Sequence, residues 1–103
     1  MSFEIDHAAI AYLHGAVEAV RAGFLPGGLK NNRDFIGDCV GFAESVGPDY
    51  RQLLFDPQTS GGLLIAISPE SAEAATAALD GRGVSARSIG RVIRKTDPLL
   101  VVR

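Results

Sequence analysis

The stretch Asp56-Pro57-Gln58-Thr59-Ser60-Gly61-Gly62 places a carboxylate, an amide and two hydroxyls ahead of a glycine pair. Asp56, Gln58, Thr59 and Ser60 could face a nucleotide phosphate or a metal-bound water, and the amides of Gly61 and Gly62 could cradle an anion. The same residues also suit a plain turn, with Asp56 and Thr59 bonded to local backbone and the glycines letting the chain bend. A second group, Gly27, Gly28, Asn32 and Arg33, combines glycines with a nearby guanidinium, which suits a phosphate-facing turn. Here too a bland reading stands beside it: Pro26-Gly27-Gly28 is an ordinary turn sequence and Arg33 a solvated cation. The Gly-Lys-Ser/Thr of a true phosphate loop does not occur.

Other chemistry is thinly represented. Cys39 is the only cysteine and reads as a small buried hydrophobe. His7 and His14 lie seven residues apart with no third ligand at metal spacing, so no metal site is assigned. No Ser-His-Asp arrangement can be built, and no catalytic residue is assigned to this chain.

These loops need a frame. Leu63-Leu64-Ile65-Ala66-Ile67 follows the glycine pair without a polar break, which predicts a strand covered on both faces and hence a rigid base for the loop before it. Ser2 to Ile5 is predicted as a short strand, and Asp6 suits a helix N-cap. Ile10, Leu13, Val17 and Val20 recur at helical spacing. Gly15 leaves two options open, one bent helix or a turn followed by a shorter helix, and Gly23 ends the pattern. From Phe24 to Gly47 the sequence is irregular. Pro26-Gly27-Gly28 and Asn31 to Asp34 read as turns, with Phe35, Ile36, Val40 and Phe42 tethering the segment to the core. Pro48 opens a short helix carrying Tyr50, Leu53 and Leu54 on one face. Ser68-Pro69-Glu70 is a strong helix start, and the small residues Ala72 and Ala75, with Leu79, would let that helix lie close to a sheet. Gly81 or Gly83 stops it. Val84 to Ile93 is predicted as a long strand, bent near Gly90, and Leu99 to Val102 as a last strand after the Asp97-Pro98 turn. This order defines an α+β fold, a mixed or antiparallel sheet with helices packed on it.

The chain of 103 residues is enough for one domain with a modest core. Net charge is −2 with no basic cluster, which argues against a nucleic-acid partner. The longest apolar run is too short to span a membrane. Met1-Ser2-Phe3-Glu4 lacks the features of a signal peptide. A single cysteine suits a reducing compartment, and the cytoplasm is expected.

Asp56-Pro-Gln-Thr-Ser-Gly-Gly-Leu-Leu64, with Gly23-Phe-Leu-Pro-Gly-Gly28, Asn32 and the helix around Tyr50 to Leu54, resembles the C-terminal domain of the selenophosphate synthetase (selenide, water dikinase) family, over roughly Glu4 to Val92. The resemblance implies the three-layer, ferredoxin-related C-terminal domain of the aminoimidazole ribonucleotide synthetase type. For the whole enzyme it implies ATP- and Mg²⁺-dependent conversion of selenide to selenophosphate, orthophosphate and AMP, and a homodimer. The family's catalytic Cys or selenocysteine, its Lys and most metal-binding Asp residues belong to an N-terminal ATP-binding domain absent from these residues. Residues 1–103 therefore read as a single truncated C-terminal domain, inactive and ligand-free alone, with that N-terminal domain as its partner. An apolar patch bared by the missing opening helix is expected to make it self-associate. Two alternatives stand beside this reading: the same domain from a related ATP-using enzyme, or a free-standing α+β module that binds a small ligand or a protein.

Overall fold

The computed structural model describes residues 1–103. It contains strand β1 (Ser2–Ile5), helices α1 (Ala16–Arg21) and α2 (Gly27–Ile36), strand β2 (Val40–Phe42), helices α3 (Pro48–Leu53) and α4 (Pro69–Asp80), and strands β3 (Gly90–Ile93) and β4 (Leu100–Val102). The four strands form one mixed sheet in the order β2-β4-β1-β3. β1 pairs antiparallel with β3 and parallel with β4, and β2 pairs parallel with β4. This is the α+β class expected from the sequence.

Alternation along β1 sends successive backbone groups to opposite neighbours. Phe3 N–H donates to the Leu99 carbonyl and Ile5 O accepts from Arg103 N–H, whereas Asp6 N–H donates to Ile89 O on the other side. The core is small. Ile5 from β1, Val102 from β4 and Val46 from the β2–α3 connection form its centre, with Val40, Phe42, Tyr50 and Leu54 packed around it. Val46 is 1% exposed; burying such a side chain stabilises by roughly 1.5–3 kcal/mol. Ser2 is fully buried, and its hydroxyl accepts from Thr96 N–H at 2.8 Å, which satisfies the group.

Several local expectations hold. β1 spans the predicted residues, and Pro48 and Pro69 stand at the first turns of α3 and α4. Of the two options at Gly15, the shorter helix is observed. Asp6 caps a 3-10 turn at His7–Ala9, its carboxylate accepting from Ala8 N–H at 2.9 Å. Gly15 then starts α1 with φ 83°. Gly23 ends α1, also with φ 83°, where Phe24 N–H reaches the Ala19 carbonyl and Gly23 N–H the Val20 carbonyl, a Schellman closure.

Other expectations are corrected. Leu63 to Ile67 is not a buried strand. It belongs to no strand or helix, takes part in no backbone–backbone hydrogen bond, and leaves Leu63 91% and Leu64 70% exposed. β3 keeps only the last four residues of the predicted Val84 to Ile93 strand, because β1, its one partner, offers pairing only over that length. α4 has no buried residue and only marginal contact with other elements, so it does not lie on the sheet. Gly27-Gly28 and Asn31 to Asp34 are not turns; they lie in α2, with Pro26 as its extended cap and the buried Leu29 holding it. Phe35 is 89% exposed and tethers nothing, while Val40 and Phe42 do pack on the core. Cys39 is exposed rather than buried.

His7, Tyr12 and Tyr50 pack as a cluster of tilted rings, with centroids 5.0 Å and 5.3 Å apart for His7–Tyr50 and Tyr12–Tyr50. The Tyr12 hydroxyl is enclosed there without a hydrogen-bond partner. Burial, then the neighbouring Tyr50, raises the Tyr12 phenol above its ordinary range. A raised folded-state pKa binds the proton more tightly, so the associated stability is present below the unfolded pKa and lost as pH rises through the folded one. Ultraviolet titration is expected to show one tyrosine ionising late, and Tyr12→Phe to remove that late step. Because the hydroxyl has no partner, the same substitution should leave stability unchanged or raised by about 1 kcal/mol.

Candidate functional site

The two segments singled out from the sequence meet in space. Residues before the glycine-ended loop cross the open face of α2. A Cβ added to Gly28 would lie 2.9 Å from Pro57 Cγ, so the missing side chain at residue 28 lets the loop approach the helix. One helical turn further on, Asn32 Nδ2 donates to the Phe55 carbonyl at 3.0 Å. Gly28 and Asn32 stand at i and i+4 and thus share one face. Between helix and loop lies a cleft of about 220 Å³, lined by Asn32, Phe35, Ile36, Leu54, Phe55 and Asp56.

The loop is therefore held from its N-terminal side, by Pro57 on Gly28 and Phe55 on Asn32, and not by a buried strand after it. Asp56 is half-buried, and Pro57 to Gly62 are exposed. Gln58 folds back over the glycines: a Cβ on Gly61 would meet Gln58 Oε1 at 2.9 Å, whereas one on Gly62 would meet nothing within 4 Å. Thr59 and Ser60 make no side-chain hydrogen bond, so their hydroxyls point to solvent unpaired.

The second group does not act as one unit. Gly27 and Gly28 open α2 behind Pro26, with no side-chain cap, and their amides are free in the way helix N-termini are. Arg33 lies six residues on, roughly 9 Å along the axis, and its Nε is 3.5 Å from Asp34 Oδ1. It cannot share an anion with the glycine amides. No group of three His, Cys, Asp or Glu side chains is placed to hold a metal ion. His7 sits in the aromatic cluster and His14 is exposed ahead of α1.

Phe35, Ile36, Leu54 and Phe55 line the cleft although the sequence marked none of them for it. Their apolarity signalled core packing, and only the helical placement of Asn32 reveals the wall they share. A second cleft, about 250 Å³, lies beside the sheet, where Glu4 receives Arg91 Nε at 2.6 Å and Arg103 Nη2 at 2.9 Å.

A mixed sheet with short helices and this pair of converging segments defines the domain class. Residues 10–103 match the family "AIR synthase related protein, C-terminal domain", and the chain belongs to that family. Within it, the chain is 48% identical over 88 residues to the selenide, water dikinase of Pelobacter propionicus, covering 84% of this chain and 25% of that protein. The corresponding protein of Treponema denticola is 43% identical over 74 residues, 72% of this chain and 21% of its own length. That of Agathobacter rectalis is 37% identical over 93 residues, 90% of this chain and 27% of its own. The likeness is to the C-terminal domain of selenophosphate synthetase. The chain spans about a quarter of these curated relatives. No helix is long and apolar enough to cross a membrane.

Proposed function

We propose that these residues form the C-terminal domain of a cytoplasmic, ATP-dependent selenide, water dikinase, and that the 56–62 loop with the start of α2 walls the face that meets the ATP-binding domain. The convergence of the two segments carries this reading. Two glycine-containing stretches, about thirty residues apart, are locked together by Gly28–Pro57 and Asn32–Phe55. Their polar groups nevertheless stay turned to solvent, where a second domain can reach them.

The reaction is selenide, ATP and water going to selenophosphate, orthophosphate and AMP. Phosphoryl transfer depends mainly on positioning and on neutralising developing charge, which a bound Mg²⁺ supplies. The residues present do not fit a site for that ion, since Asp56 is the one carboxylate lining the cleft. Free amides at Gly27 and the unpaired hydroxyls of Thr59 and Ser60 fit an anion instead, as positioning groups for a phosphate held chiefly by the other domain. The domain alone turns over no ATP on this reading, and AMP formation by the purified 103-residue chain would overturn it.

In the complete enzyme, Asp56→Ala and Gly62→Val are expected to lower selenide-dependent AMP formation by roughly 10- to 100-fold, the effect of misplacing a positioning surface by about 1 Å. Both positions have slack in this domain, so thermal unfolding should barely move. Unchanged turnover in both variants would reduce the loop to a structural bend. Turnover with an aminoimidazole precursor in place of selenide would reassign the substrate.

A further inference from the structure

The sheet turns one face to the core and carries charges on the other. Ile5 and Val102 belong to the core. Glu4 and Arg103 stand one position along from them, and Arg91 pairs with Glu4 between β3 and β1, so alternation puts all three side chains on the opposite face. There they meet. Arg91 Nε donates to Glu4 Oε1 at 2.6 Å, and Arg103 Nη2 stands 2.9 Å from the same oxygen. The Glu4 side chain is 15% exposed, against 65% for Arg91 and 55% for Arg103. The carboxylate is thus the floor of the cleft beside the sheet, and the two guanidinia are its rim.

This arrangement leaves positive charge unmatched. One carboxylate faces two guanidinia, each with several N–H donors, and neither makes a further side-chain hydrogen bond. Arg87 adds a third cation, its Nη1 3.5 Å from the carbonyl of Ala9, which lines the same cleft. The other acid there, Asp6, has its carboxylate engaged by Ala8 N–H. Ser88 adds a hydroxyl to the wall. Three cations thus face two carboxylates, within a chain of net charge −2. The excess reflects a segregation along the sequence: residues 82–103 hold six of the ten Lys and Arg but one of the twelve Asp and Glu. These cations are spread too widely to read as a cluster until β3 and β4 bring Arg91 and Arg103 to either side of β1.

We propose that Arg91 and Arg103, with Ser88, bind a small tetrahedral oxyanion of the phosphate type above Glu4. Size and geometry select that class. The cleft measures about 250 Å³, below the roughly 300–1,000 Å³ of sites for drug-sized ligands. The two arginines approach from opposite sides of β1, their backbones two strand spacings or about 10 Å apart. A planar carboxylate offers one edge to one fork, whereas a phosphate offers a separate edge to each. Both arginines rise from fixed backbone. Arg91 lies in the β1–β3 ladder, while Arg103 N–H donates to Ile5 O and Arg103 O accepts from His7 N–H. Little ordering is therefore needed on binding. This cleft shares no residue with the one between α2 and the 56–62 loop.

Heteronuclear NMR titration of the 103-residue chain with sodium phosphate, at ionic strength held constant with sodium chloride, tests this. Saturable shifts are expected at the Nε–H groups of Arg91 and Arg103 and at the Ser88 amide, with a dissociation constant in the millimolar range. Acetate should bind at least about tenfold more weakly. Arg91→Gln and Arg103→Gln alter exposed side chains, and each should weaken phosphate binding by about tenfold or more. Glu4→Gln removes the competing negative charge and should tighten it several-fold. Amide shifts that match the parent away from the cleft show that each variant keeps the fold. An absence of saturable shifts, an equal response to acetate, a response indifferent to both arginine variants, or weaker binding in Glu4→Gln would overturn the proposal. None of these readouts involves ATP or selenide, so the proposed function stands or falls separately.

Discussion

Gly90→Val is expected to cost at least about 3 kcal/mol and to abolish cooperative unfolding in so small a domain. At this position β3 approaches β1 so closely that any Cβ would collide with the Glu4 carbonyl oxygen, and would stand 3.0 Å from both Ile5 Cα and Ile5 Cδ1. Two of those three atoms are backbone of the strand that joins both halves of the sheet, so no rotamer change relieves the clash. Ile5 is itself part of the small core, so displacing it opens the contact with Val46 and Val102. Urea denaturation followed by far-ultraviolet circular dichroism checks the outcome. Gly62→Val, where the added side chain meets open space, is the control and should unfold like the parent.

The second large effect is expected at Arg51. Its Nε donates to the Val46 carbonyl at 2.7 Å and its Nη2 to the Ala43 carbonyl at 2.9 Å, while the guanidinium carbon stands 5.6 Å from the centre of the Phe42 ring. One planar fork thus holds the connection from β2 to α3 in the curve that drives Val46 into the core. Arg51→Met keeps most of the apolar stem and leaves both carbonyls without this donor, at a cost of about 2–3 kcal/mol. Arg51→Lys should recover less than half of it, because a single ammonium cannot span two carbonyls set for a fork. Full recovery by lysine would show that charge alone, not geometry, is what the connection needs. The denaturation midpoints of the three proteins decide between these.

Features set by neighbouring residues were legible in the sequence. Proline at the first turn of α3 and α4, Gly23 after α1 and the short apolar β1 each specify their own geometry, and each stands where expected. Features that depend on remote partners were not. Leu63 to Ile67 reads as a covered strand because five apolar residues in a row call for cover, but where the cover comes from is a property of pairing, not of the run itself. α2 was hidden by the poor helix formers Gly27, Gly28, Asn31 and Asn32; burial of Leu29 and the support of the 55–57 segment outweigh their propensities. β2 has three residues with glycine at the centre, and only its parallel register with β4 makes it a strand. At the candidate site, the loop and the glycine segment were both visible as chemistry. That they touch was not, since nothing local in Gly28 or Pro57 states that one fills the space the other leaves.

β4 lies between β2 and β1, and it comes after the other three strands of the sheet in the chain. Until Leu100 to Val102 have emerged from the ribosome, β1 has only β3 to pair with and β2 has nothing. The earliest and latest residues must therefore find one another across almost the whole length of the domain, a slow kind of closure. A chain cut short before Leu100 should therefore leave β2 without a partner and β1 paired on one side only, and proteases should cut it first around Val40–Phe42.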